Sequence, residues 1–261
     1  MSKAIILVSF GTANLEGVKE LESFEDEIRK EFKDKYHVCK AFTSSVLSNL
    51  LFNKYGKVIP RLEEVLFNLS NDRYKEVYIQ PLHVIEGSEY LNIEKIIKEY
   101  NYSFSKIILG NVLISNKEDD FKESCSLIVK TMENDLLKNE NIVLVGHGSK
   151  TINTEAYEAL RKVFIENDYK NIYIGTLEGE VKKEDIINEL LKDNIKNIIL
   201  APLLMLPGNH IKKDILGESN SWKASMEENG INITMIRKSL LEYKEIRDYY
   251  INRIKNNLKN K

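Results

Sequence analysis

Residues 142–149 read Ile-Val-Leu-Val-Gly-His-Gly-Ser, and residues 4–12 read Ala-Ile-Ile-Leu-Val-Ser-Phe-Gly-Thr. In both stretches an apolar run leads into a glycine and a hydroxyl residue, and their alignment sets Phe10 opposite His147. Such a run is typical of a buried strand that ends in a loop. The repetition predicts two α/β lobes of similar plan.

A second pair of stretches repeats in the same order. Residues 77–89 read Val-Tyr-Ile-Gln-Pro-Leu-His-Val-Ile-Glu-Gly-Ser-Glu, and residues 198–210 read Ile-Ile-Leu-Ala-Pro-Leu-Leu-Met-Leu-Pro-Gly-Asn-His. This alignment sets Glu89 opposite His210. Open α/β sheets bind ligands beyond the carboxyl ends of their strands, so we expect a site in the cleft between the lobes.

The composition excludes several classes of protein. The 261 residues carry a formal net charge of −2, so no overall field attracts nucleic acid or an anionic membrane. The two cysteines, Cys39 and Cys125, lack metal-site spacing and give no disulfide framework. No signal peptide or run of roughly 20 apolar residues is present. We therefore expect a soluble, unprocessed cytoplasmic protein.

Strand and helix patterns alternate along the chain, which predicts parallel sheets in a doubly wound α/β fold. We place the boundary between the lobes so that they span residues 1–138 and 139–261. The segment Leu240–Lys261 is predicted to be a helix that packs back on the first lobe. The predicted strands are Ala4–Ser9, His37–Phe42, Glu76–Gln80, Lys106–Val112, Asn141–Val145, Asn171–Gly175, Asn197–Ala201 and Ile231–Ile236.

Two of the four histidines lie in glycine-containing loops after strands. His147 is flanked by glycines, whose backbone freedom permits close approach of a ligand. His210 opens a predicted helix, for which Asn209 is a suitable cap. The helix N-terminus disfavours the imidazolium, and the neutral form is the one that binds metal or accepts a proton. An exposed first-turn residue is the alternative for His210.

A carboxylate after the next predicted strand could complete a metal site. Glu178 is the first candidate, and Glu180 is the competing one. Two imidazoles and one carboxylate suit borderline divalent ions such as cobalt, nickel, iron or zinc. His83 could be either buried or directed toward a ligand, whereas His37 is expected to be structural.

Two other loops resemble known sites only weakly. Ser9-Phe10-Gly11-Thr12 lacks the spaced glycines or the lysine of a phosphate-binding loop. Gly148-Ser149 does not complete the Gly-x-Ser-x-Gly of a hydrolase. Neither nucleotide binding nor serine hydrolysis is favoured.

Together these motifs resemble the chelatase superfamily, and within it the anaerobic sirohydrochlorin cobaltochelatases of cobalamin biosynthesis. The segments that carry the resemblance span most of the chain: Ile-Leu-Val-Ser-Phe-Gly-Thr, Gln-Pro-Leu-His-Val-Ile-Glu-Gly-Ser-Glu-Tyr, Val-Gly-His-Gly-Ser and Pro-Leu-Leu-Met-Leu-Pro-Gly-Asn-His-Ile-Lys-Lys-Asp. The resemblance implies two flavodoxin-like lobes around a tetrapyrrole cleft. It also implies a lyase that inserts Co²⁺ into sirohydrochlorin or precorrin-2 and releases two pyrrole protons.

The resemblance assigns roles to individual residues. His147, His210 and Glu178 would bind the metal, His147 would also act as base, and Glu89 would help in substrate placement or proton removal. Their positions at the same rim predict that Ser9, Thr12 and Ser149 line the cleft. Phe10 and His83 are further candidates for it, and buried packing is the alternative for both. No organic cofactor is expected, because Co²⁺ is a substrate that Ni²⁺, Fe²⁺ or Zn²⁺ could replace in vitro. The alternatives are iron or nickel insertion into a related tetrapyrrole, and a non-catalytic carrier.

Overall fold

The computed structural model describes residues 2–115, 118–149 and 155–259. The strands are β1 (Lys3–Ser9), β2 (His37–Phe42), β3 (Glu76–Pro81), β4 (Lys106–Leu109), β5 (Ile142–Gly146), β6 (Ile172–Thr176), β7 (Asn197–Leu203) and β8 (Asn232–Met235). The α-helices are α1 (Leu15–Glu31), α2 (Ser45–Tyr55), α3 (Leu62–Asn71), α4 (Ser88–Tyr100), α5 (Glu118–Met132), α6 (Glu155–Glu166), α7 (Lys183–Lys192), α8 (Trp222–Glu228) and α9 (Lys244–Lys259). A π-helix (His210–Ile215) and a 3₁₀ helix (Leu240–Glu242) complete the described elements.

The chain forms two compact units. The first contains Met1–Leu113 and Arg247–Lys261, and its parallel sheet has the order β2-β1-β3-β4. The second contains Ile114–Ile246, and its parallel sheet has the order β6-β5-β7-β8. Each sheet has the strand order of a flavodoxin-like fold. The predicted fold class, parallel sheets flanked by helices in two α/β lobes, is confirmed.

Apolar periodicity explains how the helices attach to these sheets. In α1 the buried stripe contains Val18, Leu21, Phe24 and Ile28, which recur every three or four residues. The helix begins where the Asn14 side chain accepts a hydrogen bond from the backbone N–H of Glu16, at 2.9 Å. The strands β1 and β5 are almost continuously buried and apolar, as is typical of parallel sheets covered by helices.

The registers of the two sheets show that the repeat in the sequence is structural. Val8 of β1 lies opposite Pro81 of β3, and Val145 of β5 lies opposite Pro202 of β7. The sequence alignment of residues 77–89 with residues 198–210 predicts the same equivalence of Pro81 and Pro202. The positions two residues after Val8 and Val145 are therefore equivalent in the two units.

Backbone hydrogen bonds in the following loops support this equivalence. The N–H of Ser44 donates to the carbonyl of Phe10 at 3.1 Å, and the N–H of Glu178 donates to the carbonyl of His147 at 2.8 Å. Phe10 thus corresponds to His147, and Ser44 corresponds to Glu178. The two units share a scaffold and differ in the side chains that it presents.

The boundary between the units differs from the expected division after residue 138. The second unit begins at Ile114 because α5 packs against α6 of that unit. The segment from Arg247 onward belongs to the first unit. A local sequence pattern does not specify which of the two units a helix packs against.

The last helix begins at a later residue than predicted. The Ser239 N–H and hydroxyl both donate to Glu242 Oε2, at 2.6 and 2.8 Å, which closes a 3₁₀ turn. Tyr243 is then extended, with φ −90° and ψ 129°, so the α-helix begins at Lys244 and not at Leu240. Within the described residues, none of the helices is both long enough and apolar enough to span a membrane.

Candidate functional site

The candidate site lies at the carboxyl edge of the second unit's sheet. His147 directly follows β5, Glu178 follows β6, and His210 follows β7. Since β5 is paired with both β6 and β7, the three loops are neighbours. The edge between β5 and β7 is the switch point of a flavodoxin-like sheet, where such folds bind ligands.

The two histidines that the sequence singled out lie side by side. The ring centroids of His147 and His210 are 5.1 Å apart, and the ring planes meet at 85°. Both side chains are only partly buried. A metal–imidazole nitrogen bond is about 2 Å long, so rings this close can serve one ion.

The Nδ1 atoms of both rings face groups that can only accept a hydrogen bond. His210 Nδ1 lies 2.7 Å from Asp214 Oδ2, and His147 Nδ1 lies 3.3 Å from the carbonyl oxygen of Gly148. A neutral imidazole with such a partner carries its proton on Nδ1 and its lone pair on Nε2. The site can therefore present two nitrogen donors.

Gly148 allows the His147 loop to pack closely against the loop after β6. Its φ is +77°, a left-handed conformation that favours glycine. A Cβ atom there would lie 2.7 Å from Thr176 Cβ and 2.9 Å from the backbone nitrogen of Gly179. A larger residue would push these two loops apart and displace His147.

Gly146 has a different role from the one expected. A Cβ atom there would lie 2.7 Å from the ring of Tyr157, so this glycine makes room for a buried tyrosine and not for a ligand. The Tyr157 hydroxyl accepts a hydrogen bond from the N–H of Gly148 at 3.4 Å. Burial raises the pKa of Tyr157 to about 12, so the hydroxyl stays protonated while it supports the loop.

The element that carries His210 is a π-helix of six residues. Ile211 and Ile215 are buried and anchor it to the core of the second unit. The prediction that Asn209 caps this helix is wrong. Asn209 has helical angles (φ −62°, ψ −34°) and makes no capping hydrogen bond through its side chain. The partner of His210 is Asp214, one turn further along the helix.

A cavity of about 860 Å³ lies beside His210 in the second unit. Four of the residues around it are acidic and two are lysines. An excess of carboxylates favours a cation over an anion in this cavity. The lining residues are Ser149, Thr176, Leu177, Glu178, Gly179, Glu180, Lys182, Lys183, Glu184, His210, Asp214, Asn220 and Trp222.

Glu178 shares the cavity with His210, and its backbone is bonded to that of His147, as described above. Its side chain is exposed, as is that of Glu180, and both line the cavity. Within the described ranges, no three His, Cys, Asp or Glu side chains converge closely enough to hold a metal ion. The structure thus pairs the two imidazoles, and the choice between Glu178 and Glu180 as the carboxylate ligand stays a prediction.

The candidates in the first unit lie at the corresponding edge of its own sheet. Ser9 and Thr12 are buried and Phe10 is partly buried. The N–H of Asn14 donates to Thr12 Oγ1 at 3.1 Å, which ties Thr12 to the start of α1. Ser9 Oγ has no hydrogen-bond partner among the described residues.

Glu89 and His83 also belong to this first unit. Glu89 lies in the first turn of α4, where its Oε2 accepts a hydrogen bond from Thr43 Oγ1 at 2.7 Å. Both ring nitrogens of His83 are buried, which favours the structural alternative for this residue. Its carbonyl oxygen accepts hydrogen bonds from the Leu113 N–H at 2.9 Å and the Tyr250 hydroxyl at 3.4 Å.

The model of the cobalt chelatase (CbiK) family matches residues 3–259. The chain belongs to this family.

Two curated relatives are similar to this chain over nearly its whole length. The sirohydrochlorin cobaltochelatase CbiKC of Nitratidesulfovibrio vulgaris is 27% identical over 97% of this chain and 89% of the relative. The sirohydrochlorin cobaltochelatase of Salmonella typhimurium is 26% identical over 96% of this chain and 94% of the relative. The predicted membership of the chelatase superfamily is confirmed.

Solved chelatase structures share the fold. SirB from Bacillus subtilis with Fe³⁺ has a TM-score of 0.67 at 14% identity, over 98% of this chain and 95% of that one. The sirohydrochlorin chelatase SirB from Bacillus subtilis subspecies spizizenii, in complex with cobalt, has a TM-score of 0.66 at 13% identity, over 100% of this chain and 97% of that one. At such identities the likeness establishes the architecture alone.

Several residues of the candidate site are not predicted from the sequence. Asp214 stands four residues after His210, a spacing that places both on one side of a helix and could have identified it. Lys182 and Lys183 line the cavity, and no comparable signal in the sequence marks them. Tyr157 supports the His147 loop from another element, a contact that spacing does not predict.

Proposed function

We propose that this protein inserts Co²⁺ into sirohydrochlorin in cobalamin biosynthesis, with precorrin-2 as the alternative macrocycle. The observation that carries the proposal is the pair of imidazoles, His147 and His210, at the switch point of the second unit. The names of the two full-length relatives supply the substrate. Family membership supplies the reaction class.

Metal insertion makes two demands that this pair of side chains can meet. A divalent ion must exchange water for protein ligands and then pass to the macrocycle, while two pyrrole protons leave. Neutral imidazoles bind cobalt, a metal between the hard and soft classes, and they can also accept protons near neutral pH. One imidazole cannot do both at the same moment, so we propose sequential roles or a division of labour with Glu89.

A substrate metal requires a different site from a structural metal. A structural ion is held by a closed set of ligands, whereas a transferred ion must keep open positions. A pair of nitrogen donors on partly exposed side chains, beside a cavity with several carboxylates, supports transient binding of Co²⁺. We propose that Glu178 supplies the carboxylate of this site and that Glu180 is the alternative.

The substrate also carries carboxylates, which require positive partners. Lys212 and Lys213, two and three residues after His210, are exposed on the π-helix. The lysines that line the cavity are Lys182 and Lys183. We propose that lysines around this edge contribute to binding of the substrate, and we assign none of them individually.

The state of the cysteines supports a reducing compartment. Cys39 and Cys125 are free thiols, and burial raises the pKa of each to about 12. Both would stay protonated and unreactive at neutral pH. We propose that the enzyme acts in the cytoplasm.

The test is catalytic turnover measured by absorption spectroscopy. Sirohydrochlorin in excess over enzyme is incubated anaerobically with Co²⁺, and the spectrum of the metallated product is followed against the rate without enzyme. We expect many product equivalents per enzyme. A spectral change that stops at one equivalent would instead identify a carrier. Parallel assays with Fe²⁺ and Ni²⁺ at equal free concentration identify the preferred metal.

A further inference from the structure

We propose that Asp214 is a positioning residue that fixes the tautomer of His210 and so presents its Nε2 lone pair to the substrate metal. The proposal rests on the proposed function, since it takes the ion bound at His210 to be the one inserted. It adds a residue that acts through His210 without itself contacting the metal.

The hydrogen bond between the two side chains determines where the proton of the ring lies. Asp214 Oδ2 is 2.7 Å from His210 Nδ1, the length of a strong charge-assisted bond. An ionised carboxylate only accepts hydrogen bonds, so Nδ1 must donate. The neutral ring then has its lone pair on Nε2, the atom left to bind a metal.

Packing alone does not hold the His210 ring in this state. The side chains of His210 and Asp214 are 43% and 51% exposed, so water can reach both. The backbone beneath them is fixed, because Ile211 and Ile215 are buried. The π-helix therefore brings the carboxylate to the ring, and the hydrogen bond supplies the orientation that packing does not. Without it, an exposed imidazole can carry its proton on Nε2, which leaves the lone pair on Nδ1 instead.

His147 provides an internal comparison. Its Nδ1 lies 3.3 Å from the backbone carbonyl oxygen of Gly148. This main-chain acceptor favours a proton on Nδ1 of His147, as Asp214 does for His210. Loss of the Asp214 carboxylate should therefore alter one ring and leave the other unchanged. A general disturbance of the site would alter both.

The test compares Asp214→Leu with wild type and with Glu228→Leu, which removes an exposed carboxylate of the second unit outside the cavity lining. The ¹⁵N signals of labelled histidine are recorded without metal, at a pH above the imidazole titration. Affinity for Co²⁺ alone is measured by calorimetry. We expect His210 to lose its Nδ1–H signature in Asp214→Leu only, while His147 keeps it, and Co²⁺ affinity to fall about 10- to 100-fold.

Two further measurements separate positioning from folding. The melting temperature should be nearly unchanged, because exposed ion pairs contribute little to stability. Asp214→Glu should recover at least part of the Co²⁺ affinity. The proposal is overturned if the His210 tautomer is the same in wild type and Asp214→Leu, or if their Co²⁺ affinities are equal. Neither readout uses sirohydrochlorin, so a wild-type enzyme without turnover would refute the proposed function separately.

Discussion

Gly148 and Gly230 have the same backbone φ of +77° but different surroundings. A Cβ at Gly148 would meet the loop after β6, whereas a Cβ at Gly230 would have no atom within 4 Å. We predict that Gly148→Ala lowers the free energy of unfolding by about 2–3 kcal/mol, since strain and a clash combine. It should also slow metal insertion, because His147 would be displaced. Urea denaturation and the turnover assay measure the two effects.

Gly230→Ala is the matched control for backbone strain. It should cost only about 1 kcal/mol, the usual penalty of a left-handed alanine, and leave turnover unchanged. Equal losses of stability in the two variants would show that the clash at Gly148 does not matter. Normal turnover in Gly148→Ala would show that the loop can shift without consequence.

Single residues are predictable from the sequence where their role depends on the local chain. His147 and His210 were located from glycine-containing loops after strands, and the structure places their rings together. The role of Gly146 and the cap at Asn209 were predicted incorrectly. The role of Gly146 depends on Tyr157, which contacts the loop from α6. The conformation of Asn209 depends on a π-helix, and six residues are too few to show a π-helical period in the sequence.

At the scale of elements, all eight predicted strands are present, and their ends are displaced by at most three residues. Continuous β-branched runs between helical patterns were sufficient evidence for buried parallel strands. The C-terminal segment was less predictable. Its helix starts late because Glu242 closes a separate turn through Ser239, and apolar spacing does not show that interruption.

Arg247 joins the first turn of α9 to two carboxylates of α1. Arg247 forms ion pairs with Glu20 and Glu27, and its guanidinium lies 5.9 Å from the centre of the Phe24 ring. Its side chain is only 11% exposed. We predict that Arg247→Leu lowers the free energy of unfolding by about 2–3 kcal/mol, because two carboxylates lose a partly buried partner. Chemical denaturation measures this loss.

Lys255→Leu is the control on the same helix. Lys255 pairs with Glu31 at 2.6 Å, but the two side chains are 33% and 41% exposed. Its loss should cost less than about 1 kcal/mol, as is usual for solvated pairs. If both variants lost the same stability, burial would not be what distinguishes the Arg247 cluster.

At the scale of the whole molecule, one scaffold occurs twice and only one copy carries the paired histidines. The strand orders and the registers at Pro81 and Pro202 are the same in both units. The first unit has Phe10 where the second has His147. This asymmetry was visible in the sequence because the repeat aligned without gaps around the key loops. The extent of each unit is not visible in the sequence, because it depends on the long-range packing of α5 and α9.

The roles of the two imidazoles are tested by measuring sirohydrochlorin metallation by His147→Ala and His210→Ala, with His37→Ala as control. His37 is exposed at the start of β2 in the first unit, outside the proposed site. We predict that both site variants fold like wild type but lose at least about 100-fold in turnover, while His37→Ala stays within about twofold. Turnover near the wild-type rate in either site variant would contradict the claim that these two imidazoles handle the metal.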